Sequence, residues 1–274
     1  MTKEELLTTE QTTLPVLTPP AKVNFEKKLD WDEFRPLFHQ SWHTVMKKAV
    51  ESEWMYDIYQ KIKESARTER ILPDSDNTFR SFEYCNLKDV KVVMILLDPY
   101  PRLYKDGTPQ ATGIPMDCSN SPDGKLQPSL DVFYDALDKS LGKKVERSKS
   151  LQYLLQQGVL LLNSELTVKK NKTGSMEGLW APFHKFLYEQ ALYSYTGTVY
   201  ILAGAASQKL EKYINPLGNY IFPVEHPAAA AHKSTDWDYK DIFNRTNKLL
   251  ESNNGPLAKI HWDKADWDSK SLPF

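Results

Sequence analysis

The chain has 274 residues, 41% of them hydrophobic and 26% charged, with a formal net charge of −1. That length allows one large domain or two small ones with ample apolar content for a core, and the near-zero charge singles out no partner, since a nucleic-acid binder would have to gather its Lys and Arg on one face. Cys85 and Cys118 are the sole cysteines, which argues against a disulfide scaffold or a Cys-rich zinc site; with no apolar run of membrane-spanning length and no signal peptide after Met1, an intracellular location, cytoplasmic or nuclear, is expected.

Residues 1–23 are rich in Thr and Pro without periodicity and read as a flexible arm. Residues 24–262 read as a single domain and 263–274 as a tail. From residue 29 to about 67, Trp31, Phe34, Leu37 and Phe38, then Trp42, Val45, Met46 and Ala49, then Met55, Ile58, Tyr59 and Ile62 recur at helical spacing and predict two or three amphipathic helices. His39 and His43 stand one helical turn apart, but with no acidic or Cys partner nearby no metal is expected. Residues 71–89, punctuated by Pro, Asp and Asn, read as a long loop.

Residues 90–100, VKVVMILLDPY, form an apolar, β-branched run that stops at Asp98. Such a run predicts a strand buried on both faces, as in a parallel sheet covered by helices. Ligands bind beyond the carboxyl ends of such strands. A long loop rich in Gly, Pro, Asn and Asp follows, then a helix over 130–141 with Ser129 as its N-cap and Gly142 at its end. A short helix over 151–157 leads to a second strand over 159–162, with Asn163 at its end. Helices over 180–195 and about 206–214 flank a third strand over 198–203. The fourth strand, 220–224, delivers Glu225 and His226 into HPAAAAH, and a last helix runs over about 238–250. The alternation predicts an α/β fold with a short central parallel four-stranded sheet flanked by helices.

Asp98, Asn163 and His226 thus stand at three strand ends. A carboxylate can orient water or stabilise a developing cation. An Asn amide can read the edge of a base, and a His can donate to an oxygen that gains negative charge. Tyr100 offers a flat wall beside the acid.

These residues sit in motifs that resemble the uracil-DNA glycosylase family. VKVVMILLDPYP resembles its water-activating motif, GVLLLNSELTV (158–168) its second motif, and EHPAAAAH (225–232) the His-Pro motif of its DNA-intercalating loop. LPDSDNTFRSFEY (72–84), QPSL (127–130) and AGAASQK (203–209) resemble the stretch before the first motif, the Pro-rich phosphate-gripping loop and the Gly-Ser phosphate loop. The resemblance covers about residues 42–262 and implies the family's three-layer fold. It also implies uracil-containing DNA as substrate, no cofactor and a monomer. It further implies that Asp98 orients the attacking water and His226 stabilises the uracil anion, that Tyr100 rejects the methyl of thymine, and that Asn163 binds the base. Leu97 and Met116 would line the substrate pocket, Met116 where the family has a stacking Phe. Pro128, Ser129, Ala205, Ala228, Ala229 and His232 would meet the DNA; Lys169, Lys170 and Lys172 read as a solvated face, with the DNA groove as the alternative.

Departures are visible. Leu96 and Leu97 replace the family's Gly-Gln, Ala205 and Ala206 occupy the Gly-Ser loop, and the alanine-rich loop lacks a Leu wedge. DPYP, DGT, GIP and HPAA resemble the poxvirus branch, which also serves polymerase processivity, so a replication protein is an expected partner. Two further readings stand beside excision of uracil: a DNA-binding or replication accessory protein with little catalysis, and a glycosylase for another modified pyrimidine.

Overall fold

The structure, a computed structural model, describes residues 27–263. The expected arm over 1–23 and the expected tail beyond Asp263 lie outside the described residues. In chain order the elements are α1 (Trp31–Phe34), α2 (His43–Val50), α3 (Glu53–Ala66), β1 (Ile71–Leu72), α4 (Arg80–Tyr84), β2 (Val92–Leu96), α5 (Pro128–Leu141), α6 (Gln152–Gln156), β3 (Val159–Asn163), β4 (Val168–Lys169), α7 (Ala181–Phe186), β5 (Val199–Ala203), α8 (Ala205–Gln208), β6 (Tyr220–Val224), α9 (Pro227–Lys233) and α10 (Ile242–Asn254), joined in places by single 3-10 turns.

The four long strands form one parallel sheet in the order β3-β2-β5-β6. Every residue of β2, β3 and β5 is buried, which is why their sequences read as unbroken apolar runs. With β3 at the other edge, β6 is one of the two edge strands. It carries Pro223, which has no N–H to give and is tolerated where a strand has a neighbour on one side alone. β1 and β4 make a separate antiparallel pair.

An aromatic cluster braces the helical layer. Phe82 meets Trp42 edge-on at 5.0 Å, and Phe79 lies 5.9 Å from Trp180 and 5.7 Å from Phe183. All five side chains are buried. This cluster is why residues 71–89 are not the plain loop that their Pro, Asp and Asn content predicts: burial of Phe79 and Phe82 folds the segment into β1 and α4. The pair His39 and His43 is structural. His39 Nδ1 accepts the Ser41 N–H at 3.2 Å, and His43 Nε2 donates to the Phe38 carbonyl at 3.1 Å.

Other boundaries also shift. α5 begins at Pro128, a favoured first helical residue, so Ser129 sits inside the first turn and Gln127 holds the cap position. The helix expected over 180–195 leaves α geometry at Leu187, where a wide turn brings the Leu192 N–H to the Leu187 carbonyl at 2.9 Å. The segment expected as one helix over 206–214 is α8 plus a 3-10 turn at Glu211–Tyr213. α10 starts at Ile242 rather than near 238. HPAAAAH, expected as a loop, is helix α9: Pro227 presets its first turn, the alanines favour helix, and the His226 ring accepts the Ala228 N–H at 3.1 Å as its cap.

Ile95 is fully buried and pairs with Leu162 on one side and Leu202 on the other. Ile95→Ala should therefore lose ~2–5 kcal/mol of stability in urea unfolding. A loss under ~1 kcal/mol would contradict a central, close-packed β2.

Candidate active site

Parallel pairing delivers all four strands to one edge. Leu96 pairs with Asn163, and Ala203 with Val224. Beyond these last pairs lie Asp98 after β2, Gly204 after β5 and His226 after β6, while Asn163 is itself the last residue of β3. One narrow cavity there is lined by Leu96, Asp98, Tyr100, Met116, Asn163, Ser129 and His226, closed by the 111–115 segment. Six of the residues singled out from the sequence therefore meet in one place.

The walls are held by specific contacts. The Tyr100 hydroxyl donates to the Met116 carbonyl at 3.2 Å, which ties the wall after β2 to the segment opposite. Met116 has φ of 63°, a left-handed conformation that a non-glycine residue adopts at some cost, and such residues concentrate at functional sites. Gly204 has φ of 92°, and a Cβ there would come within 3.0 Å of the His226 Cβ, so glycine is required for the close approach of β5 to His226.

Electrostatics follow from burial. Asp98 is pushed above the usual carboxylate range by desolvation, against the pull of one hydrogen bond, the Gly174 N–H to Oδ2 at 2.7 Å. His226 is pushed down to about 4, chiefly by burial and then by His232. Its ring is therefore neutral at pH 7. Because Nδ1 accepts the Ala228 N–H, the ring proton sits on Nε2. The site thus places a carboxylate, an Asn amide and a neutral imidazole N–H around one concave space.

Curated relatives match most of the chain. A uracil-DNA glycosylase from Bacillus pumilus is 31% identical over 229 residues, 83% of this chain and 97% of the relative. One from Lacticaseibacillus casei is 32% identical over 231 residues, 83% of this chain and 96% of the relative. The chain belongs to the uracil-DNA glycosylase family. Its fold is that of the crystal structure of mimivirus uracil-DNA glycosylase, with a TM-score of 0.71 at 22% identity over 83% of this chain and 88% of that one. No family model matches the sequence.

Of the residues expected to line the base pocket, Leu97 does not, and most of those expected to meet DNA lie on elements around it. The Leu97 carbonyl accepts the Glu165 N–H at 3.0 Å and the Ser164 hydroxyl at 2.7 Å. Pro128 opens α5 beside Ser129, and Ala205 opens α8. Ala228 and Ala229 lie in α9, with His232 exposed in its last turn. Lys172 is paired with Glu69 at 2.5 Å, while Lys170 is exposed.

Sequence reasoning missed two residues. His184 is fully buried; its Nε2 donates to the Asn163 carbonyl at 3.0 Å and its Nδ1 accepts from the Tyr188 hydroxyl at 3.0 Å. Burial pushes it down to about 4. Glu165 is 6% exposed and accepts the Gly178 N–H at 2.6 Å and the Trp180 N–H at 3.1 Å. A helix-spaced His184–Tyr188 pair was a signal available in the sequence; nothing marked Glu165.

A His that binds its proton more weakly folded than unfolded makes stability fall as pH drops from about 6.5 towards 4. Glu165, raised to about 7, acts with the opposite sign and is common to parent and variant. His184→Gln should therefore lose less stability than the parent between pH 6.5 and 4.5, by up to ~1.4 kcal/mol per pH unit. Equal slopes in denaturant unfolding would mean that His184 takes up its proton in place.

Proposed function

We propose that this chain hydrolyses the N-glycosidic bond of uracil flipped out of DNA, with Asp98 and His226 as its catalytic residues. The observation that carries the site assignment is their convergence with Asn163 and Tyr100 on one cavity at the carboxyl edge of the sheet. A base within a duplex is unreachable, so it must leave the stack at a cost of ~a few kcal/mol.

Asp98 orients a water towards the sugar C1′ and stabilises the cation that develops there as the C1′–N1 bond breaks. The bonding electron pair leaves with uracil. The His226 Nε2–H donates to the oxygen on which that negative charge collects; a neutral donor in a buried site needs no proton transfer to do this. Water supplies the hydroxyl left on C1′, and its remaining proton ends on uracil. Asn163 reads the amide edge of the base, with its own carbonyl held by His184.

Tyr100 selects by shape. Uracil and thymine differ by one methyl, which a wall excludes where a hydrogen bond would not register it. Met116 gives a soft apolar face where the family has Phe. DNA as substrate implies an intracellular workplace. Among the described residues no helix is long and apolar enough to cross a membrane.

The parent should release uracil, and not thymine, from single- and double-stranded oligonucleotides under single-turnover conditions. Tyr100→Ala should release thymine at a measurable rate. DNA binding without release of uracil would favour an accessory DNA-binding role, a reading that α9, with alanines where a wedge would stand, also supports. Unchanged selectivity in Tyr100→Ala would remove Tyr100 as the gate.

A further inference from the structure

We propose that Glu165 is a positioning residue for Asp98: it clamps the far limb of the 170–180 loop so that the Gly174 N–H at the apex stays on the Asp98 carboxylate. The proposal rests on the reading of Asp98 given above.

Glu165 is rooted on the end of β2. Its N–H bonds the Leu97 carbonyl at 3.0 Å, and the preceding Ser164 N–H bonds the Leu96 carbonyl at 2.9 Å. Its carboxylate then reaches across to the loop, one oxygen on the Gly178 N–H at 2.6 Å and the other on the Trp180 N–H at 3.1 Å. Trp180 is immobilised by its ring N–H on Thr167 Oγ1 at 2.9 Å and by the aromatic cluster. From there back to the apex the backbone is a run of turns: Leu179 N–H to the Met176 carbonyl at 3.0 Å, and Glu177 N–H to the Gly174 carbonyl at 3.2 Å. The near limb is held separately, by the Asn171 N–H on the Pro101 carbonyl at 2.6 Å and the Lys170 N–H on the Arg70 carbonyl at 2.8 Å. The apex bond to Asp98, 2.7 Å long, spans the two limbs.

Two N–H donors on one side chain require two acceptor oxygens. An ionised carboxylate supplies both; a carboxylic acid or an amide supplies one and turns a donor towards the other N–H. The clamp is therefore charge-dependent. The groups facing Glu165 are Asp98 on the strand end, Glu177 on the loop with Lys209 bonded to it at 2.8 Å, and neutral His184 behind Asn163. Burial is the main cause that raises Glu165 to about 7, opposed by its two backbone hydrogen bonds, with smaller contributions from Glu177 and Asp98. The clamp closes as Glu165 ionises, and the second negative charge near the site also favours a cationic sugar. Both effects make uracil release rise with pH through neutrality.

The test compares parent and Glu165→Gln. Single-turnover release by the parent should climb between pH 6 and 8; the variant should be roughly tenfold slower at pH 8 with a flattened profile in that range. Exchange of the Gly174 amide, followed by NMR in DNA-free protein and corrected for intrinsic rate, should be at least about tenfold faster in the variant. In the parent it should quicken as pH falls from 8 to 6, a test that needs no substitution. A parent that releases no uracil would defeat the glycosylase reading and leave the clamp to be decided by Gly174 exchange. Unchanged Gly174 exchange, or an unchanged pH profile in an active parent, overturns the proposal.

Discussion

The position of β2 between β3 and β5 is the constraint on which the rest of the molecule depends. Parallel strands in register must end on the same edge, and here that edge receives Leu96, Asn163, Ala203 and Val224 side by side. Backbone carbonyls at such an edge have no further strand to bond. Those of Leu96 and Leu97 are taken by Ser164 and Glu165, so the chain after β3 is stitched to the chain after β2. Asp98 thereby gains a fixed place relative to Asn163 before any loop contributes. The cavity is a consequence of sheet geometry, sharpened by the loops that close over it.

Burial then sets the chemistry. The same desolvation raises Asp98 and Glu165 and lowers His184 and His226. Charge is costly in the site unless backbone N–H groups meet it, and both carboxylates are met in that way, by Gly174 and by Gly178 and Trp180. The imidazoles avoid charge altogether, and each accepts a hydrogen bond on Nδ1, so that its proton sits on Nε2. The aromatic cluster of Trp42, Phe79, Phe82, Trp180 and Phe183 lies behind this arrangement, because it fixes the end of the loop on which those N–H groups are carried.

Much of this was legible in the sequence. Strands buried on both faces announce themselves as apolar runs, as β2, β3 and β5 do, and these and the half-buried β6 were found within one or two residues of their ends, apart from the overlong reading past Leu96. Polar residues at or just past the ends of three of these runs marked Asp98, Asn163 and His226. Local composition misled where it competed with tertiary burial or with a borrowed loop. Pro, Asp and Asn hid α4, although Phe79 and Phe82 drive it into the core. The likeness of EHPAAAAH to an intercalating loop outweighed the helix preference of its alanines. Glu165 was invisible because glutamate after a strand end is ordinarily solvated, and its two backbone partners lie more than ten residues further along the chain. The left-handed Met116 depends on its closing segment and carries no local sequence mark.

The central claim is that groups from three strand ends act on one uracil. The most direct measurement is single-turnover excision by Asp98→Asn, Asn163→Ala and His226→Ala, each beside its affinity for uracil-containing DNA. The account predicts that each variant falls by roughly a hundredfold or more in rate while affinity changes far less. Parental excision by any of the three would remove that residue from the site and contradict the claim that the strand ends act together.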